Sequence, residues 1–303
     1  MNSFFHLYKV VDIVITYVDG NDPEWLKQYG DYSEEPILSK RFRDWGTLKY
    51  LLRGVEKNIP FTGKVHLVVS AESQVPSWID RSKVHIVFHS EIIPPLYLPV
   101  FNSSTIEMFL HRIPGLAERF IYFNDDLIPV RPLRESDFFQ GGKVVKKLTR
   151  HLFALNDFKI LTRDSDRLAR RAAGKCMLNP LFLRPQHTCT PLLKSRCDEV
   201  YNICQDEIFR TASRLRERGN FNQYLFSDYI YYKGDAVNRR ISCRHFSLAI
   251  ATSDQICDFI KNPDRDIVCI NDVEMSPERF ASLKEKLNQA LETLLGEKST
   301  YEL

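Results

Sequence analysis

Apolar residues in this chain fall into short β-branched runs separated by stretches of helical period, and several of those runs stop abruptly at acidic clusters. Val10–Val18 reads as a buried strand that ends at Asp19-Gly20-Asn21-Asp22-Pro23, a dense group of turn formers. Leu48, Leu51, Leu52 and Val55 recur at helical spacing, which predicts a helix from about Trp45 to Lys57, closed by Asn58–Pro60. Val65–Val69 and Val84–Phe88 read as two further strands. Phe120–Phe123 is an aromatic strand that runs into Asn124-Asp125-Asp126.

Strand, helix, strand and strand at these intervals predict an α/β sheet of largely parallel type. Thr105–Arg112 reads as a helix begun by Ser103 or Ser104, with Glu107 three residues after Ser104 completing a capping box. Cys204–Arg218 also reads as helical, and Tyr224–Tyr232 is apolar and aromatic enough to be core. Val268–Ile270 is a short strand that ends at Asn271-Asp272. Ser276-Pro277 then caps a helix with Phe280, Leu283, Leu287, Leu291 and Leu294 on one face.

With 303 residues and 44% hydrophobic content, the chain can bury one large domain or a domain with an inserted subdomain. Its basic residues concentrate between Lys143 and Lys175, which predicts an insertion with a basic solvated face, suited to an anionic acceptor or a lipid surface. The formal charge of +3 gives no reason to expect nucleic acid as a partner. Seven cysteines, all in the second half, show no CxxC pair or zinc spacing, so reduced thiols in a cytosolic protein are expected. The apolar start is interrupted by Asp12 and lacks a small-residue cleavage site, so it reads as a first strand rather than a signal peptide.

Three strand ends carry short acidic groups: Asp19-Gly20-Asn21-Asp22, Asn124-Asp125-Asp126 and Asn271-Asp272-Val273-Glu274. In open α/β sheets ligands bind beyond the carboxyl ends of strands. Magnesium takes one or two carboxylates and completes its shell with water and substrate phosphate. Arg41 and Arg43, ahead of a helix, have side chains that fork onto phosphate oxygens or pair with surface acids. His187 sits between prolines in Arg184-Pro185-Gln186-His187-Thr188-Cys189-Thr190-Pro191, a rigid setting for a base near neutral pH. P-loop, dinucleotide-binding, α/β-hydrolase and zincin motifs are all missing. The residues alone therefore reach a metal-assisted transferase acting on a phosphorylated or nucleotide donor.

The combination DIVITYVDGNDPEW, RFRDWGTLKYLLRGVEKNIP, VPSWID, LPVFNSSTIEMFLHRIPGLAERFIYFNDD and CINDVE resembles the Stealth family of capsular and exopolysaccharide phosphotransferases. The likeness runs in order through four blocks, about Val11–Trp25, Arg41–Asp126, Arg184–Tyr232 and Ile267–Glu302. It implies a Rossmann-like, glycosyltransferase-A-like central sheet, with residues 1–142 and 176–303 forming one catalytic domain and 143–175 a mainly helical basic insertion. It also implies transfer of hexose-1-phosphate, such as GlcNAc-1-phosphate, from a UDP-sugar to a glycan hydroxyl with release of UMP. Magnesium or manganese would be the cofactor and a polysaccharide the acceptor. The setting would be the cytoplasm, including peripheral association with membrane-bound polysaccharide machinery at the inner face of the plasma membrane.

By the same resemblance, Asp19, Gly20, Asn21 and Asp22 contact the nucleotide or its metal, and Arg41 and Arg43 bind phosphate. Asn102, Ser103, Glu107 and Asn124 line the donor pocket. Asp125 and Asp126 are catalytic and metal-binding, Asp272 and Glu274 complete the metal set, His187 deprotonates the acceptor, and Arg216 assists. Lys298, Ser299 and Glu302 match the end of the fourth block. The chain departs from the family pattern at Arg218-Gly219-Asn220, where an acid is usual, and in the stretched spacing from His187 to Pro191. Two alternatives stay open: a metal-dependent glycosyltransferase that releases UDP, and a non-catalytic polysaccharide-binding module.

Overall fold

The computed structural model describes residues 10–34 and 39–303; the apolar start Met1–Lys9 lies outside the described residues. In chain order, β1 (Val11–Thr16) leads to α1 (Pro23–Tyr32), α2 (Leu48–Asn58), β2 (Thr62–Val69) and β3 (Val84–Phe88). Next come α3 (Ser103–Glu107), β4 (Arg119–Asn124), β5 (Leu127–Pro129), β6 (Phe139–Gln140), β7 (Lys143–Val145) and β8 (Leu148–His151). The helix α4 (Asp157–Ala172) precedes β9 (Phe182–Pro185), β10 (Thr190–Leu193), α5 (Lys194–Ile203), α6 (Gln205–Thr211) and α7 (Tyr224–Tyr232). The chain closes with β11 (Ala236–Val237), β12 (Cys243–Ser247), α8 (Ser253–Lys261), β13 (Ile267–Asn271) and α9 (Pro277–Leu295).

The central sheet has five strands in the order β10-β4-β1-β2-β3 and is mostly parallel, so the expected α/β class holds. Its β10 edge runs antiparallel to β4, pairing Thr190 with Tyr122 through to Leu193 with Arg119. β1 and the first strands match their sequence signals because continuous β-branched runs suit strands buried on both faces. Among the described residues, no helix is long and apolar enough to cross a membrane.

The chain forms two compact units. The first holds the residues up to Val14, Val87–Tyr122 and Ser136–Ile241; the second holds Ile15–Ile86, Phe123–Glu135 and Ser242–Leu303.

In the first unit, α4 lies against α7, and Tyr97, Phe109, Tyr201 and Phe209 form an aromatic cluster beside them. The basic stretch 143–175 consists of β7, β8 and the 16-residue α4. Two of its cations turn inward rather than to solvent. Lys146 is buried and donates to Thr190 Oγ1 at 2.7 Å, and Arg170 pairs with fully buried Asp166 at 2.7 Å while Tyr232 Oη donates to the same carboxylate at 2.6 Å.

Two helices of this unit differ from expectation. α3 stops at Glu107, and its cap is Asn102, whose side chain accepts from the Ser104 N–H; Glu107 does not reach back but is drawn into the interior by the Gln223 N–H. The helix expected over Cys204–Arg218 ends at Thr211, because the carbonyls of Ser213 and Leu215 are held by the Asn102 amide and fix an irregular path.

In the second unit, β12, β13 and β5 make a three-stranded sheet on which α2, α8 and α9 pack through Tyr50, Ile256, Ile260, Leu287 and Leu291. Ser276 caps α9 as its sequence predicts, accepting from the Arg279 N–H. Arg53 fastens the end of the chain: its Nε and Nη2 each donate at 2.8 Å to Glu302, which also accepts from the Ser299 N–H. Ser299 and Glu302, the end of the fourth block, therefore close the fold around a buried arginine.

Candidate active site

Every acidic strand end predicted from the sequence lies in the second unit. The β1 end is an Asx turn: Asp19 Oδ1 accepts from the Asn21 N–H at 2.9 Å, and the Asp19 N–H donates to Gln74 Oε1 at 2.7 Å. Asp22 caps α1, accepting from the Glu24 N–H, and its other oxygen takes Ser73 and Gln74 at 2.6 and 2.7 Å. Its carboxylate is thus committed to the turn.

Gly20 is needed for contact rather than for a special φ angle. Its N–H donates to the Phe42 carbonyl at 2.7 Å, and a Cβ there would collide with that oxygen and stand 2.7 Å from Phe42 Cβ. The first acidic turn is therefore seated directly on the Arg41–Asp44 loop.

From that loop, Arg43 reaches the acids that follow β13. Its Nη1 lies 3.2 Å from Asp272 Oδ1, its Nη2 lies 3.8 Å from Glu274, and its guanidinium covers the Phe280 ring. The Trp45 indole N–H donates to Asp272 Oδ2 at 3.0 Å. Burial raises the Asp272 carboxyl, while Trp45 and Arg43 pull it back. Asp272 and Glu274, expected as metal ligands, and Arg43, expected on phosphate, are brought together as an ion-pair cluster. Arg41 lies in the short turn just before it, Ser39–Arg41.

At the end of β4 the turn Asn124–Asp126 leads into β5, and Thr47 Oγ1 donates to the Asp125 carbonyl at 3.2 Å. Burial, and then the charges of Asp126 and Asp44, push the Asp125 carboxyl up to about 7. Asp126 keeps one oxygen, Oδ1, buried with no hydrogen-bond partner, while Oδ2 accepts from the Cys269 thiol at 3.4 Å. Tyr17 is half-buried beside these acids: burial, then Asp44, Asp19 and Asp125, hold its phenol far above the ordinary range, and its hydroxyl is hydrogen-bonded to Asp44.

A lone buried carboxylate oxygen among mutually repelling acids is a costly arrangement that a divalent cation relieves. The donors are hard oxygens, so the residues fit magnesium or manganese. The oxygen without a partner is on Asp126, next to Asp125 in the turn, whereas Asp272 is already engaged by Arg43 and Trp45.

Four other predicted residues meet in the first unit. Asn102 is fully buried and donates to Thr105, Leu215 and Asn220. Ser103 receives a hydrogen bond from Arg216. Glu107 accepts from the Gln223 N–H at 3.1 Å and the Tyr122 hydroxyl at 3.4 Å; burial pushes its carboxyl up to about 7 against the opposing pull of Gln223, Arg216, Tyr122 and Lys146. The departure at Arg218-Gly219-Asn220 belongs to this network, since Asn220 Oδ1 accepts from both Asn102 and the Glu217 N–H. His187 lies on the turn between β9 and β10, half-buried, next to Gln186, which is tied at both ends of its amide to the backbone of Ile241.

Tyr17, Trp45, Thr47 and Cys269 were missed. Tyr17, Trp45 and Cys269 look like core residues in sequence, and their adjacency to predicted acids was the available signal.

Comparison with known proteins agrees with the family resemblance and, at the second block, with its position. The family model for Stealth protein CR2, conserved region 2, matches residues 41–147. The capsular polysaccharide phosphotransferase WcwK of Streptococcus pneumoniae is 34% identical, covering 97% of this chain and 99% of its own. The receptor polysaccharide phosphotransferase WefC of Streptococcus oralis is 32% identical with the same coverage, and the exopolysaccharide phosphotransferase cps2G of Lactiplantibacillus plantarum is 30% identical over 96% of each chain. The solved galactosyltransferase LgtC aligns over 91% of this chain and 96% of its own at 11% identity and a TM-score of 0.39, too distant to bear on the site. With near-complete coverage at this identity, the chain belongs to the Stealth family and is a transferase of phosphorus-containing groups.

Proposed function

We propose that this chain transfers hexose-1-phosphate from a UDP-sugar to a glycan hydroxyl and releases UMP in capsule or exopolysaccharide synthesis. The observation that carries the reading is the pair at the end of β4: Asp126 with a buried oxygen lacking any partner, beside Asp125 with its carboxyl near 7. Such a pair calls for a cation, and a nucleotide diphosphate is the natural companion of a cation held by so few protein ligands.

In this reading Asp125 and Asp126 would hold magnesium or manganese, which when bound neutralises charge on the diphosphate. The Asp19–Asp22 turn, stiffened by Gln74, presents the end of β1 to the nucleotide. The acceptor oxygen forms a bond to the β-phosphorus, the bond from that phosphorus to the bridging oxygen breaks, and UMP leaves with the bridging oxygen. His187, assigned from the family resemblance, takes the acceptor proton. Positioning and charge neutralisation do most of the work in such transfers.

None of the seven cysteines forms a disulfide, which suits the reducing, cytoplasmic setting proposed here; peripheral association at the inner face of the plasma membrane is assigned from the family resemblance. Phosphorus NMR of the products with UDP-GlcNAc and a glycan acceptor tests the reading. UMP and a phosphodiester are expected, both lost in Asp126→Asn; UDP without a phosphodiester would overturn it in favour of glycosyl transfer.

A further inference from the structure

We propose that the first unit carries a docking face for an anionic phospholipid bilayer, built from the two segments that leave the same end of the β8–β9 ladder. This extends the membrane-side part of the proposed function and does not depend on its chemistry. The ladder pairs His151 with Phe182, so the segment after β8 and the segment before β9 emerge side by side. Both are apolar and outward-facing: Phe153 is 66% exposed, Leu155 81% and Leu178 90%, with Leu152 and Met177 also exposed. A monomer in water gains nothing from exposing large apolar groups on two adjoining segments, and such exposure marks a binding surface.

The charge around this cluster selects the occupant. No acidic residue occurs in 143–156 or in 173–186. A pocket of about 230 Å³ lies there, lined by Arg150, Arg170, Lys175, Tyr231 and Tyr232 among others. Arg170 is consumed by Asp166 and by the carbonyls of Asn179 and Leu181. Arg150 and Lys175 make no ion pair among the described residues, and both are exposed. A pocket with two cations outside any ion pair, on segments that also carry exposed aliphatic and aromatic side chains, matches a phosphate headgroup above acyl chains. A protein partner would more often meet a flat apolar face than apolar tips interleaved with cations.

Flotation with phosphatidylcholine vesicles, with and without 30% phosphatidylglycerol, tests this directly and needs no turnover. The whole chain is expected to float with the anionic vesicles and only weakly with the neutral ones. Arg150→Glu with Lys175→Glu should weaken binding by at least about 25-fold, roughly fivefold per cation removed. Phe153→Ser, Leu155→Ser and Leu178→Ser together should remove the part of binding that survives high salt. In each variant phosphotransfer to a soluble glycan should be unchanged, which separates this face from the reaction. Equal binding to both vesicle types, variants that bind like the parent, or self-association of the lipid-free chain through these residues in place of vesicle binding would each overturn the proposal.

Discussion

Arg43 and Asp272, 229 residues apart in the chain, meet as a 3.2 Å ion pair that joins the RFRD loop to the end of β13. Both side chains are about nine-tenths buried, and Trp45 and Phe280 shield the pair. Removing one partner of such a pair strands the other charge. Arg43→Ala should therefore cost about 3 kcal/mol in denaturant unfolding, and Arg43→Lys a smaller part of that, since an ammonium cannot reproduce the fork. A loss confined to donor KM, with stability intact, would show instead that Arg43 serves the substrate.

Asp125 and Glu107 both have carboxyls pushed up to about 7, from ordinary values of 3.8 and 4.5. For an acid whose pKa is raised by folding, the folded state binds protons more tightly than the unfolded one between the two values. Stability of the metal-free protein should thus fall as pH rises from about 4 to about 7 and then level off as far as these groups are concerned. Asp125→Asn should be more stable than the parent at pH 8 by on the order of 1–3 kcal/mol, with little difference at pH 4. Thermal unfolding across pH measures this, and a parent and variant with parallel profiles would refute the assignment.

Magnesium or manganese should raise the melting temperature of the parent by several degrees at millimolar concentration, through binding linkage. Asp126→Asn should abolish the shift while leaving the metal-free melting temperature unchanged or higher, because it removes one charge from a crowded acidic group. A shift that persists in Asp126→Asn would place the cation elsewhere.

Asn102 tests whether the FNSSTIE segment supports or contacts. Its amide holds Thr105, Leu215 and Asn220 while its oxygen caps α3. Asn102→Ala should cost about 2–3 kcal/mol by leaving buried polar groups unpaired. Asn102→Asp should keep the cap and still lose most of the stability, since a carboxylate cannot donate. Unfolding experiments on the two variants separate cap from donor.

Gly20→Ala adds one methyl against the Phe42 carbonyl. The turn and the RFRD loop must then separate, so activity should drop at least tenfold while unfolding free energy changes by no more than about 2 kcal/mol. Full activity in this variant would mean that the seating of the turn is incidental to the site.

The first strands and their helix, the α/β class and the three acidic strand ends were legible in the sequence, because they rest on local periodicity and on turn residues; α1, α5, α8 and the short strands β5 to β12 carry no such signal and were not. β2 and β3 ran as the β-branched runs indicated, and Ser276 capped α9. What local signals left undecided was which acids are already spoken for. Asp22 is a helix cap and Asp272 an arginine partner, whereas Asp126 retains a buried oxygen with no donor. Arg43 and Asp272 differ little, as residue types, from the free charges they resemble in sequence. Their pairing is a long-range contact, and the carboxyl near 7 at Asp125 arises first from desolvation and then from adjacent Asp126 and from Asp44, distant in the chain. Charge, burial and partner choice are properties of the packed assembly; the chain determined where acids could gather, and only the tertiary structure decided which of them remain available for chemistry.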